Sequence, residues 1–155
     1  MSEKIRVLNM TREEIDEVLY ESMSAIFQFD RLKVSLFNMT YQDSYLLYFI
    51  RKHGPARMSE IAEEMNIHIS TASRAIDKLE KRRLVVRKKD KADRRNILVS
   101  LAPAGAMLMK ASEDHSFYTI QEGLAGLSSD EVLNIIKAAK MLNKILGVRS
   151  VNTKR

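Results

Sequence analysis

Within five residues the chain places three hydroxyls and one guanidinium: Ser70, Thr71, Ser73 and Arg74. Hydroxyls can reach base edges or phosphate oxygens, and an arginine fork can make a bidentate pair with guanine. Downstream, nine of the positions 81–95 are cationic: Lys81, Arg82, Arg83, Arg87, Lys88, Lys89, Lys91, Arg94 and Arg95. A nucleic-acid duplex shows a phosphate every few ångströms, so a run this dense suits a polyanion. Asp93 stands inside the run, two residues before Arg95. It does not help phosphate attraction, but it can hold the Arg95 guanidinium in one rotamer through a bidentate pair. The blander reading is an exposed tip whose charge is locally neutralised.

The distribution of charge supports the same chemistry. Formal net charge is +6, yet residues 51–95 carry 14 Lys/Arg against 7 Asp/Glu, and the remaining positions 12 against 13. The excess is confined to the middle of the chain, as in an electrostatic footprint for a polyanion. Absence of cysteine excludes disulfides, thiolate metal sites and thiol redox sensing. No apolar run approaches the ~20 residues of a membrane span, and the N-terminal stretch, with Glu13, Glu14, Asp16 and Glu17, has no export signal. We therefore expect a cytoplasmic protein without membrane partners.

Other chemistry finds less support. No P-loop, nucleophile elbow or metal-binding helix motif is present, so we expect neither an enzyme nor a cofactor. The lone acids Asp93 and Glu113 read as structural. His53, His68 and His115, with Glu113 or Asp114, lack the close spacing of zinc ligands. A metal-responsive regulator therefore stays an alternative only, and no metal residues are assigned. Tyr41, Tyr45, Tyr48 and Phe49, with Phe27, Phe29 and Phe37 before them, could line a pocket, although aromatics at helical spacing are more often core.

The elements that must position these groups are mostly helical. Residues 11–33 carry Ile15, Val18, Leu19, Ser22, Ile26 and Phe29 at three-four spacing, with Thr11 and Glu14 as a capping box. Residues 41–52 form a second helix, stopped by His53-Gly54-Pro55. A short helix at about 59–65, capped by Ser59, turns at Asn66 into a helix over about 69–82. On that helix Ala72, Ala75, Ile76 and Leu79 fall on one side, and Ser70, Arg74, Asp77 and Lys81 on the other. Residues 84–89 and 96–101 alternate as a hairpin with a polar loop at 90–95. Helices follow at about 104–122 and 129–146, the latter opened by Ser128 and Glu131 and striped with Val132, Ile135, Ile136, Ala139 and Leu142. The order predicts a mainly α chain with a small β-hairpin wing, a winged helix-turn-helix within about 41–101. The amphipathic flanking helices have no evident partner inside such a unit.

These residues resemble the MarR family (multiple antibiotic resistance regulators). LVVRKKDKADRRNILVSLAPAG looks like that family's wing, with Asp93 and Arg95 at the tip, a strand from Ile97 to Leu101, and Gly105 beyond it. MSEIAEEMNIHISTASRAIDKLEKRRLVVR resembles its helix-turn-helix. Three positions depart from the pattern. His68 and Ala102 stand where capping hydroxyls are expected. Arg83 replaces a glycine at the end of the recognition helix, so either that position keeps right-handed backbone or Arg accepts strain to supply another phosphate contact.

The resemblance implies a homodimer with an N-terminal dimerisation region at 1–38, a DNA-binding domain at 39–101 and C-terminal dimerisation helices at 102–155. Ile5, Val7 and Leu8 could extend the interface. It further implies a repressor on a palindromic operator of double-stranded DNA. Ser70, Thr71, Ser73 and Arg74 would enter the major groove. Lys78, Lys81, Arg87, Lys88 and Lys89 would contact phosphate, and Arg95, oriented by Asp93 and flanked by Arg94, would reach the minor groove. A small aromatic or anionic effector would bind near Phe27, Tyr41, Tyr45 and Tyr48. The competing class is a winged-helix module that binds protein and never reads DNA; a weak dependence of binding on salt would favour it.

Overall fold

Helices give way to the wing hairpin where the hydrophobic period changes from 3.6 to 2, after the turn at Arg83. The computed structural model describes residues 9–91, 93 and 95–147. Ile5, Val7 and Leu8 lie outside them, as does Arg94. The chain divides into two units, Met1–Tyr45 and Leu46–Arg155.

In the first unit, α1 spans Arg12–Leu36. The Thr11 hydroxyl accepts from the Glu14 N–H, and the Glu14 carboxylate accepts from the Thr11 N–H, so the expected capping box is present. Helix α2, Tyr41–His53, begins in this unit behind a second reciprocal cap between Thr40 and Asp43 and continues into the next.

The second unit follows with β1 (Ala56–Arg57), α3 (Met58–Glu64), α4 (Ile69–Lys81), β2 (Val85–Lys89), β3 (Ile97–Leu101), α5 (Pro103–Leu124) and α6 (Ser129–Ile145). The three strands form an antiparallel sheet in the order β1-β3-β2. Val85 lies opposite Leu101, Arg87 opposite Val99 and Lys89 opposite Ile97. This register turns Val85 and Val99 inward. The core of the unit combines these two with Leu46, Leu47, Ile50, Ile61, Ile76 and Leu79, all essentially inaccessible. On α4 the inward face is Ala72, Ile76 and Leu79, as the helical wheel predicts, with Ala75 at its margin.

Two local expectations need correction. Strand β1 is too short to leave a periodic signal, yet Ala56 and Arg57 pair with Val99 and Leu98. Ser59 does not cap α3. The helix starts at Met58, and the Arg57 N–H donates to Glu60 Oε2 at 2.7 Å. Glu60 sits at the third position from Arg57, whereas a cap at Ser59 would place Ala62 there, with no carboxylate to answer it.

Three helices end in one geometry, with two backbone hydrogen bonds closing over a left-handed residue. That residue is Asn38 after α1 (φ 49°), Asn66 after α3 (φ 50°) and Arg83 after α4 (φ 58°). After α4, the Arg83 N–H donates to the Glu80 carbonyl and the Leu84 N–H to the Leu79 carbonyl. The next contact explains Gly105. The Leu84 carbonyl accepts from the Ala102 N–H, and a Cβ on Gly105 would lie 1.9 Å from that carbonyl oxygen. Ala102 offers α5 no side-chain cap, and Pro103 occupies the first helical position, where its missing N–H costs nothing.

Within the second unit Arg51 Nε donates to Glu113 Oε1 at 2.7 Å, tying α2 to α5. At α6, hydrogen bonds from Ser128 hold the Glu131 carboxyl below its usual range. Its contribution to the helix start is therefore present above the ordinary carboxylate range and is lost as pH falls through the lowered value.

Candidate nucleic-acid interface

One face of α4 is open to solvent and carries the expected side chains. Ser70, Thr71, Arg74, Lys78 and Lys81 are exposed, and Ser73 is half-buried. A shallow groove beside this face is lined by Arg74, Asp77, Lys78, Lys81 and Arg82. At the start of the helix His68 occupies the cap position without a side-chain bond, and its carbonyl accepts from the N–H groups of Thr71 and Ala72. The first amides of α4 thus have no side-chain cap, an arrangement suited to an anion.

The wing contributes its own set. Lys88 and Lys89 are exposed on β2. The hairpin is closed by the Asp90 N–H donating to the Asn96 carbonyl at 2.9 Å, and Arg57 of β1 approaches the mostly buried Asp90 carboxylate at 3.8 Å. At the tip Asp93 Oδ1 accepts from the Arg95 N–H at 3.0 Å, and Oδ2 accepts from the Asn96 side-chain amide at 3.3 Å. Asp93 therefore shapes the backbone of the turn, as Asp commonly does two residues ahead of a bonded N–H. The bidentate pair with Arg95 does not form. One approach of Nε to Oδ1, at 3.5 Å, links the two side chains, and Arg95 is 93% exposed. Both carboxylate oxygens accept from the turn, and the guanidinium stays open to solvent.

Arg87 behaves differently from its basic neighbours. Its Nη1 lies 2.6 Å from Asp77 Oδ1 and 2.6 Å from Glu80 Oε2, while Nη2 donates to the Ser73 carbonyl at 3.1 Å and approaches Ser73 Oγ at 3.4 Å. Its side chain is only 21% exposed. Instead of facing outward with Lys88 and Lys89, it bolts β2 to α4 and neutralises two acids on the face that carries Arg74 and Lys78. Asp77 and Glu80 are the residues that sequence reasoning leaves unassigned. The signal was available: Ser73, Asp77 and Glu80 recur at offsets of four and three, so they share one flank of α4.

The aromatic set is not core in the single chain. Phe27, Tyr41, Tyr45 and Tyr48 remain 41–57% exposed. Phe27 and Tyr41 stack in the first unit with centroids 5.6 Å apart, and Lys52 lies over the Tyr48 ring at 5.9 Å. His53 packs on Phe49, and among the described residues no three His, Cys, Asp or Glu side chains gather into a metal-binding group.

Comparison with known proteins places this geometry. The profile of the MarR family matches residues 39–97, the stretch that holds the helix-turn-helix and most of the wing. The uncharacterized HTH-type transcriptional regulator YxaD of Bacillus subtilis (strain 168) is 30% identical over 107 residues, covering 69% of this chain and 75% of its own. The chain belongs to the MarR family. The HTH-type transcriptional repressor MdtR of the same organism is 38% identical to this MarR-family chain over 61 residues, 39% of each protein. The fold also matches the crystal structure of Streptococcus pneumoniae FabT in complex with DNA. That match has a TM-score of 0.74 at 17% identity, over 88% of this chain and 98% of the other. MarR-family relatives are transcriptional regulators rather than enzymes. Among the described residues no helix is long and apolar enough to cross a membrane.

Proposed function

We propose that this MarR-family chain is a cytoplasmic, homodimeric regulator that represses transcription by occupying a palindromic operator. Arg74, with Ser70, Thr71 and Ser73, reads or positions the major groove. Lys78, Lys81, Lys88 and Lys89 contact phosphate, and Arg95, beside Arg94, enters the minor groove. Arg87 and Asp93 hold the parts in place. The observation that carries this reading is the open cationic face of α4 beside a wing whose tip presents Arg95 with its side chain 93% exposed.

Dimerisation is supported by the flanking helices. Val18, Leu19, Met23 and Ile26 of α1 are exposed, as are Phe117 and Tyr118 of α5 and Ile135, Ile136 and Leu142 of α6. Apolar surface of this extent is covered in a stable protein, and a twofold partner covers it with the same residues. Regions 1–38 and 102–155 then hold two copies of 39–101 about one helical turn of DNA apart. An aromatic or anionic effector would meet the exposed rings of Phe27, Tyr41 and Tyr45 in the first unit.

Two substitutions test the assignment of roles. Arg95→Ala is expected to weaken binding to every duplex by about 10-fold or more, through loss of a minor-groove cation, with the dimer intact. Arg74→Ala is expected to relax preference at one base position, costing about 1–3 kcal/mol there if its contact is bidentate. Gel-shift titrations against a panel of single-base variants separate the two patterns. Unchanged affinity for Arg95→Ala removes the wing from the mechanism, and uniform loss for Arg74→Ala makes that residue a phosphate contact.

A further inference from the structure

Arg83 sits in a conformation that its side chain does not favour. The three helix ends described above share the same pair of closing hydrogen bonds and nearly the same left-handed φ, between 49° and 58°. At two of them the chain uses asparagine, whose short amide tolerates this region of backbone space. At the end of α4 it uses arginine, for which the conformation is strained. A long side chain is therefore held where the same chain elsewhere places a short one.

Among the described residues nothing accounts for that choice. Arg83 is exposed, and among the described residues its side chain makes no hydrogen bond or ion pair. Arg51 and Arg87 show what a structural arginine looks like here, each fixed to carboxylates at 2.7 Å or less. The carbonyl end of α4 already has Lys78 and Lys81 in its last turn to answer the helix dipole. The position itself is the junction between the two elements of the cationic face. It follows Arg82, which lines the groove beside α4, and precedes β2, which carries Lys88 and Lys89. Strain retained without a structural return is characteristic of a functional position.

We propose that Arg83 is a phosphate-contacting residue, kept in strained backbone so that its guanidinium reaches the DNA between the recognition helix and the wing. This rests on the DNA-binding reading above. A guanidinium fork can take two phosphate oxygens at once, which the asparagine used at the other helix ends cannot do with the same charge.

The test compares wild type, Arg83→Asn and Arg83→Lys in the full-length protein. Binding to a mixed-sequence DNA duplex is measured by fluorescence anisotropy across a salt series, and melting temperature is measured in parallel. Arg83→Asn should melt at least as high as wild type, by up to about 2–4 °C, because the strain is relieved. Its affinity at low salt should fall about 3- to 10-fold, and the slope of log K against log salt should become shallower by about 0.9 for each copy engaged. Arg83→Lys should keep the wild-type slope. The assignment is overturned if wild type binds DNA and Arg83→Asn matches it in affinity and slope. It is equally overturned if Arg83→Asn melts lower with binding unchanged, since the charge would then serve the helix end. Failure of the wild type to bind any duplex at low salt is a different result, which removes the DNA-binding reading and this assignment with it.

Discussion

Arg87→Ala is expected to lower DNA affinity by about 100-fold or more and to cost about 1–3 kcal/mol of folding stability. The guanidinium bridges Asp77 and Glu80 at 2.6 Å each and donates to the Ser73 carbonyl, so its removal does two things at once. It unbolts β2 from α4, and it leaves two carboxylates uncompensated beside Arg74 and Lys78. A fully buried pair broken in this way loses about 3–5 kcal/mol. Asp77 and Glu80 are 50% and 40% exposed, so solvent screening reduces that figure. The effect on binding is larger because DNA meets both consequences: repulsion between the freed acids and phosphate, and a wing no longer held in register with the recognition helix. Adding Asp77→Asn and Glu80→Gln to Arg87→Ala separates them. Affinity should recover in part, by the repulsive share, and the remainder measures the loss of wing position. Arg87→Lys should rescue poorly, since a single ammonium does not reproduce the planar fork that meets both acids and the Ser73 carbonyl. Binding of Arg87→Ala within twofold of wild type would show that the clamp has no part in recognition.

The second large effect concerns α6, whose apolar side chains are exposed among the described residues. Ile135 and Leu142 lie seven residues apart on one face of α6, 49% and 38% exposed. Replacing both with Asp is expected to give a monomer by analytical ultracentrifugation and to reduce operator affinity by about 10²–10⁴-fold. Two linked binding units gain that much from simultaneous engagement, and a single unit loses it. The winged unit should stay folded, because its buried residues, Leu46, Ile61, Ile76, Leu79, Val85 and Val99 among them, include neither substituted position. Unaltered far-UV circular dichroism and a residual, salt-sensitive affinity for DNA would confirm that the lost avidity, not unfolding, is responsible. A substituted protein that sediments and binds like the wild type would exclude α6 from the interface.

Much of this architecture was legible because local chemistry marks it. Thr11 with Glu14, Ser128 with Glu131, and Asn66 at a left-handed turn each announce a helix start or a helix end within a few residues. Elements of this kind are set by nearest neighbours, and sequence periodicity reports them. What periodicity does not report depends on contacts between segments. Two residues cannot show a period, so β1 emerged only through its pairing with β3. Glu60 moved the start of α3 to Arg57 by answering a backbone N–H that also ends a strand. Arg87 looked like one more cation in a basic run until β2 returned alongside α4 and set it against Asp77 and Glu80. Spacing alone pairs Asp93 with the Arg95 guanidinium, whereas its oxygens accept from the Arg95 N–H and the Asn96 amide and the guanidinium makes one approach at 3.5 Å. A run of like charge in a sequence therefore conceals two populations, those that face outward and those consumed in holding the others in place.

The most direct test of the whole scheme is selection of bound duplexes from a random-sequence pool with the full-length wild-type protein at moderate salt. Two identical winged units related by a twofold axis should enrich an inverted repeat whose half-sites are centred about 10–10.5 base pairs, or a multiple, apart. Enrichment of an asymmetric sequence, or recovery of the input pool unchanged, would contradict a dimer that reads DNA through α4 and the wing.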